Sequence, residues 1–402
     1  MVRGDRAPGG TNPDPAGGPP RPARSVAFDA IAERVVRHHG AAPASTVAAR
    51  ALVGGSPRRQ AGAAGRLFPS EAAPAASVET IFDLASVTKP FVAATAARLA
   101  RRGELSLDEP LGALVPSLAS TPSADAPLIH LLAHRAGLRA HIELFAPKRE
   151  GGEVHLHEAE QVAAGSRRPE CTGPRPEEGY EPLYSDMGYL LVGLALEARS
   201  GLPLDELVRR EVLAPLGLEA LVGSARQLRR AMPDFDARVA PTEVQSFRGG
   251  VVRGVVHDEN AWSLFDDAAA GHAGLFGLAE GVLGFGEALL RGLAGDEGWL
   301  GPQDLEPLVR PRPGGSLRAG FDGKSGPTPS CGSRLGDRTV GHLGFTGTSL
   351  WIDPDLGFAG VLLSNRVHPT REHLAIRAAR PDAYDRMFDA VAGSSAGGSL
   401  PR

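Results

Sequence analysis

Cysteine is nearly missing from this chain: Cys171 and Cys331 are its two cysteines among 402 residues, 160 positions apart. That scarcity excludes a disulfide-stapled scaffold and gives no zinc-ligand spacing, so both are expected as free thiols. Charge of one sign is lacking too, since 43 basic residues face 47 acidic ones for a formal net charge of -4. The balance removes the electrostatic reason to expect nucleic acid or an anionic membrane as partner. No apolar run approaches the roughly 18 residues that a membrane-spanning helix needs. Residues 1–25 carry basic groups but no continuous apolar stretch of the secretory-signal kind, and a cytoplasmic protein is expected. What the chain does have is 42% apolar side chains over its full length, enough to bury a core. A small-molecule or peptide substrate therefore becomes the expected partner.

Gly and Pro crowd the first 24 residues, and helical spacing of apolar groups sets in from Phe28. These features divide the chain into a disordered segment over 1–25, one domain over 26–392 and a loose tail over 393–402. Residues 44–54 and 61–68, joined through Gly54-Gly55-Ser56-Pro57, have the pattern of a hairpin at a sheet edge. Helices are expected over Ser86–Arg102, 129–138, Met187–Arg199 and Arg371–Val391. Three short apolar runs, Thr339–Gly344, Thr348–Ile352 and Phe358–Leu363, are expected as neighbouring strands. Strands near both ends and helices between them imply an α/β fold of two lobes: an antiparallel sheet flanked by helices, and an all-α lobe.

The sharpest chemical signal is Ser86-Val87-Thr88-Lys89 at the head of the first strong helix. Residues three apart share a helix face, so the Ser86 hydroxyl and the Lys89 amine can touch. The helix dipole at that end favours negative charge on the serine oxygen and lowers the lysine pKa, both of which help lysine accept the serine proton. With 25 serines and three lysines in the chain, chance spacing supplies about 0.2 such pairs. Composition adds weight: the other 40 basic residues are arginine, which cannot serve as a base at usable pH, whereas a desolvated lysine can. Pro90, just past the first turn, breaks a local helix rule in the manner of working sites.

Tyr184-Ser185-Asp186 precedes the helix that begins at Met187. A phenol beside a lysine can shuttle a proton between an attacking serine and a leaving group. Asp186 can hold Lys89 or touch substrate, but an aspartate before a helix is also an ordinary cap. The third element, Gly341-His342-Leu343-Gly344-Phe345-Thr346-Gly347-Thr348, pairs one titratable ring with glycines that let substrate lie against a strand. Its alternative reading is a glycine-rich bend.

In order, S-x-x-K, Y-x-[ND] and [KH]-x-G resemble the signature of the serine β-lactamase and penicillin-binding superfamily, most closely its class C-like serine hydrolases. The resemblance covers roughly residues 26–392 and is most specific at FDLASVTKPFVAA and GHLGFTGTSLWIDP; LIHLLAHRAGL and VVHDENAWSLFDDAAAGHAGLF look familiar as well. It implies Ser86 as acylated nucleophile, Lys89 as its proton partner, and Tyr184 as the group that activates serine or the deacylating water. Which of Lys89 and Tyr184 is the acylation base stays open. By the same resemblance the oxyanion hole is the backbone N–H pair of Ser86 and Phe345, with Gly344 and His342 on the supporting strand. Asp186 stands where this branch usually has Asn, and a carboxylate there is expected to ion-pair with Lys89. His342 takes the place of a lysine; a largely neutral ring should weaken recognition of a substrate carboxylate.

The implied activity is hydrolysis of a small ester or amide through an acyl-enzyme, by an esterase, a β-lactamase-like or a D-amino-acid peptidase-like enzyme, with no cofactor or metal. The competing reading is a binding protein that kept the fold and lost turnover. His155, His157 and His257 lie in no H-E-x-x-H pattern, and G-x-S-x-G of the α/β-hydrolases is absent. The stretches around His257–Asn260 and Gly271–Gly274 are candidates either for the cleft or for loop scaffold.

Overall fold

A computed structural model describes residues 20–393. Residues 1–19 and 394–402, most of the expected disordered segment and tail, lie outside the described residues. Residues 20–25 depart from expectation, because Ala23–Arg24 forms a short strand, β1. Among the described residues the main sheet has seven strands, which we number in chain order. They are β1, β2 (Ala44–Val53), β3 (Ser56–Gly65), β4 (Asp322–Gly323), β5 (Val340–Leu343), β6 (Ser349–Asp353) and β7 (Phe358–Ser364). Across the sheet the order is β1-β3-β2-β7-β6-β5-β4, antiparallel except for the β1–β3 pair.

The hairpin of β2 and β3 is tighter than its sequence pattern suggested. Gly54 and Gly55 have φ of 57° and 80°, the two positive values of a primed two-residue turn, so pairing starts at once with Val53 opposite Ser56. Nor does it form the edge, because β1 continues the sheet beyond β3.

Alternation along each strand divides two cores. Ala359, Val361 and Leu363 of β7 join Ala44 and Ala48 of β2 on the face covered by helix α4 (Ala279–Leu293) and the helical lobe. Phe358 and Leu362, with Val47, Ala49 and Ala51, face the other way, against helices α1 (Val26–Glu33) and α5 (Ile376–Ala392). Burial on both sides explains why these strands read as continuous apolar runs, each large side chain contributing on the order of 1.5–3 kcal/mol.

The helical lobe contains α2 (Thr88–Arg101) and α3 (Asp186–Ser200). Two smaller sheets lack strong sequence signals: Phe82–Asp83, Leu275–Gly277 and Val222–Ser224 form one, Pro241–Gln245 and Gly250–Arg253 the other. Strands of two to five residues are too short to show alternation. The helix expected over 129–138 stops at Leu132, where His134 and Gly137, at φ of 59° and 79°, turn the chain back. The last helix starts at Ile376, five residues beyond the expected Arg371. Pro90 breaks no rule, since it lies in the first turn of α2, where a backbone N–H has no intrahelical acceptor. No helix of the described residues is long and apolar enough to cross a membrane.

Candidate active site

Ser86 lies in a single 3-10 turn, Ala85–Val87, that feeds α2. The preceding Ala85 takes φ of 47°, a conformation rare for residues with a β-carbon. Buried Asp83 supports it, accepting the Ala85 N–H at 2.8 Å and the His257 N–H at 2.7 Å. From the turn between β5 and β6, the Thr346 and Thr348 hydroxyls donate to the carbonyls of Asp83 and Leu84, each at 2.8 Å. Gly344 permits this approach: a β-carbon there would stand 1.9 Å from Thr348 Oγ1 and 2.6 Å from the Leu84 oxygen. The turn carrying Ser86 and the strand end carrying Phe345 are thereby tied together, and both residues border the cleft.

Lys89 is fully buried one turn further along. Its Nζ donates to Ser86 Oγ at 3.0 Å, Asp186 Oδ1 at 2.8 Å and the His272 carbonyl at 3.2 Å. An ammonium has three protons, and all three are engaged. Burial disfavours its charge, yet Asp186 and then Tyr184 more than offset the penalty, so the Lys89 pKa rises above its ordinary 10.5. This corrects the expectation of a dipole-lowered lysine: a carboxylate in direct contact outweighs the fractional charge of a helix end.

The Tyr184 ring centre lies 4.7 Å from Lys89 Nζ, and Ser86 and Lys89 both lie close enough to its phenol to favour its ionised form. Burial pushes the phenol above its usual range despite the nearby ammonium. At neutral pH the resting site therefore holds a protonated lysine beside a protonated tyrosine. Asp186 opens α3, but Ser185 caps that helix, accepting the Gly188 N–H at 3.1 Å. Relieved of capping, the Asp186 carboxylate turns to Lys89 as expected of an acid at this position.

His342, on β5, meets the Leu343 carbonyl through Nδ1 at 2.8 Å. A carbonyl only accepts, so Nδ1 carries the proton and Nε2 of the neutral ring is an acceptor. Burial, and then the charge of Lys89, push the ring down to about 3, and no cation stands here at neutral pH. Phe345 is 48% exposed; the His257 ring stacks on it at 5.7 Å and the Arg366 guanidinium lies 4.6 Å from its centre.

These residues surround a cleft of about 660 Å3. The stretches left open between cleft and scaffold do both: His257, Asp258 and Glu259 line it, while Asp258 also caps the helix Glu259–Phe265 and accepts from His272 Nε2 at 2.9 Å. Sequence reasoning missed a group of arginines that border the cleft, Arg366, Arg377 and Arg380. None has a carboxylate within salt-bridge distance among the described residues. Arg380 is 7% exposed, donates to the carbonyls of Gly344 and Thr348, and its Nε has no hydrogen-bond partner among the described residues. Arg377 and Arg380 lie on the last helix and Arg366 in the turn after β7, in a chain where arginine is everywhere. His157 pairs with Glu160 at 2.8 Å, and no metal-binding cluster of three or more ligating side chains occurs among the described residues. Cys171 and Cys331 are buried and unbridged.

The sheet flanked by helices, with a helical lobe beside it, is the architecture of β-lactamases and transpeptidases. The solved structure of EstCE1, "a hydrolase with promiscuous acyltransferase activity", superposes with a TM-score of 0.67 at 21% identity, over 90% of this chain and 97% of that one. A class C β-lactamase from Rhodobacter sphaeroides gives a TM-score of 0.65 at 19% identity, over 91% and 99% of the two chains. The family profile described as Beta-lactamase matches residues 32–384, and the chain belongs to that family of hydrolases. A curated relative from Escherichia coli (strain K12), "Putative D-alanyl-D-alanine carboxypeptidase", is 28% identical over 311 residues, 73% of this chain and 70% of the relative.

Proposed function

We propose that the protein is a serine hydrolase that cleaves a small ester or amide through an acyl-enzyme on Ser86. The observation that carries this reading is the convergence of Ser86 Oγ, Lys89 Nζ and the Tyr184 phenol in one buried cluster bordering the cleft. Lys89, with every proton engaged, serves as a fixed cation. Tyr184 moves the proton: as Ser86 Oγ bonds to the substrate carbonyl carbon, its hydrogen passes to the phenol oxygen, and the phenol hydrogen passes to the leaving oxygen or nitrogen. The backbone N–H groups of Ser86 and Phe345 receive the developing oxyanion. Water then attacks the acyl carbon, and the same relay returns a proton to Ser86.

The opposite wall refines the substrate. With a neutral His342, carboxylate recognition is expected to weaken at that position, yet Arg377 and the buried Arg380 place unpaired positive charge on the same cleft. Arg380 holds a charge that burial disfavours, its pKa brought down to about 10, and a bound anion would relieve that cost. We therefore assign an acyl compound carrying a carboxylate, with the half-exposed Phe345 ring as an apolar plate beside it. This reading fits a peptidase-like or carboxylated-ester substrate better than a neutral ester.

A fluorophosphonate probe tests the proposal. Labelling on Ser86, lost in Ser86→Ala, supports it; reversible substrate binding without labelling or burst kinetics makes the protein a non-catalytic binder.

A further inference from the structure

His134, in the LIHLLAHRAGL stretch, has an unusual placement. It is 4% exposed and holds φ of 59°, although it carries a β-carbon. Its backbone carbonyl accepts the Leu183 N–H at 3.1 Å, and its ring Nδ1 accepts the Ser185 N–H at 3.0 Å. One residue thus grips the chain on both sides of Tyr184. Its ring also packs on the Tyr184 ring at 4.6 Å, tilted by 32°, and on the Tyr189 ring at 5.1 Å. The following segment continues the attachment: the Arg139 carbonyl accepts the Ser185 hydroxyl at 2.6 Å, and the Ala140 carbonyl accepts the Asp186 N–H at 2.8 Å.

We infer that His134 is a positioning residue for Tyr184: it clamps residues 183 and 185 and backs the phenol ring, so that the hydroxyl is held over Ser86 and Lys89. The left-handed backbone is what lets one residue present both its carbonyl and its ring nitrogen to the same strand of chain. The role requires a neutral ring, because protonated Nδ1 would face the Ser185 N–H as a second donor. Burial, and then the nearby charge of Lys89, keeps it neutral. Serine-based chemistry makes the fixed geometry matter, since a hydroxyl displaced by an ångström loses its place in the proton relay.

The inference rests on the hydrolase reading, and its test separates the two. Hydrolysis of p-nitrophenyl butyrate and the rate of fluorophosphonate labelling at Ser86 are measured for His134→Ala, His134→Asn, Tyr184→Phe and the double variant His134→Ala/Tyr184→Phe, with melting temperatures alongside. Asparagine keeps an acceptor near the position of Nδ1 and tolerates positive φ. Expected are a fall of about 10- to 100-fold in kcat with little change in KM for His134→Ala, and recovery of most of that loss in His134→Asn. In the Tyr184→Phe background, the same alanine substitution should cost less than about two-fold, because the group it positions is already gone. An equal loss in both backgrounds overturns the inference, as does a His134→Ala variant that melts earlier but turns over normally. Absence of labelling in the unmodified protein sinks the hydrolase reading and the positioning role together.

Discussion

The two walls of the cleft treat charge in opposite ways. On the Ser86 side, the Lys89 ammonium is met by Asp186 at 2.8 Å, its remaining protons are engaged, and the geometry is complete before substrate arrives. Across the cleft, Arg380 is buried against backbone carbonyls and Arg377 stands without a carboxylate partner among the described residues. A wall whose charges are already neutralised is suited to hold reacting groups still, and a wall with charge left over is suited to wait for a ligand. Under the proposed function, the contrast places chemistry on one side and recognition on the other.

The largest break in that contrast comes from Ser86→Ala, which should lower p-nitrophenyl ester hydrolysis by at least about a thousand-fold. Thermal unfolding of this variant should be unchanged, because a half-buried hydroxyl is removed and no cavity is made. Next comes Asp186→Asn, which strips Lys89 of its counter-charge. A folded pKa raised above 10.5 contributes stability that is present below pH 10.5 and lost as pH rises through the folded value. Without the carboxylate, burial dominates and the lysine pKa falls. Denaturant unfolding near neutral pH should then show a loss of about 3 kcal/mol, and the ionisation seen in kcat/KM should move toward neutrality.

On the recognition wall, Arg380→Gln should raise KM about ten-fold for an ester bearing a carboxylate, the scale of one charged hydrogen bond. A neutral ester of equal size should respond by less than about two-fold, and equal responses would dissolve the distinction between the walls. The mildest effect at neutral pH belongs to His342. Its ring, held near 3 against an ordinary 6.5, supplies stability that is complete above pH 6.5 and is lost as pH falls toward 3, by up to ~1.4 kcal/mol per unit. His342→Gln should flatten that acid limb, and ring proton shifts in the unmodified protein should show no titration between pH 5 and 8.

Much of this site could be read from residue order. Ser86 and Lys89 lie within one helical turn, so their contact is a local property of any helix at that place. The strands after residue 338 were legible because burial on both faces leaves continuous apolar runs. The pairing of Asp186 with Lys89 was anticipated from charge, but its alternative as a cap fell only when Ser185 was seen to cap α3. The raised Lys89 pKa, the arginines across the cleft and the grip of His134 on residues 183 and 185 were invisible. Each depends on groups brought together from distant segments, some 50 to 290 positions apart.

By itself, then, the sequence determined the contact of Ser86 with Lys89 and the alternation that builds the sheet, since both follow from spacings of a few residues along a helix or strand. Tertiary structure decided the protonation of Lys89 and the charge facing it across the cleft. Those quantities depend on burial and on the nearest opposite charge, and neither is set until remote segments pack.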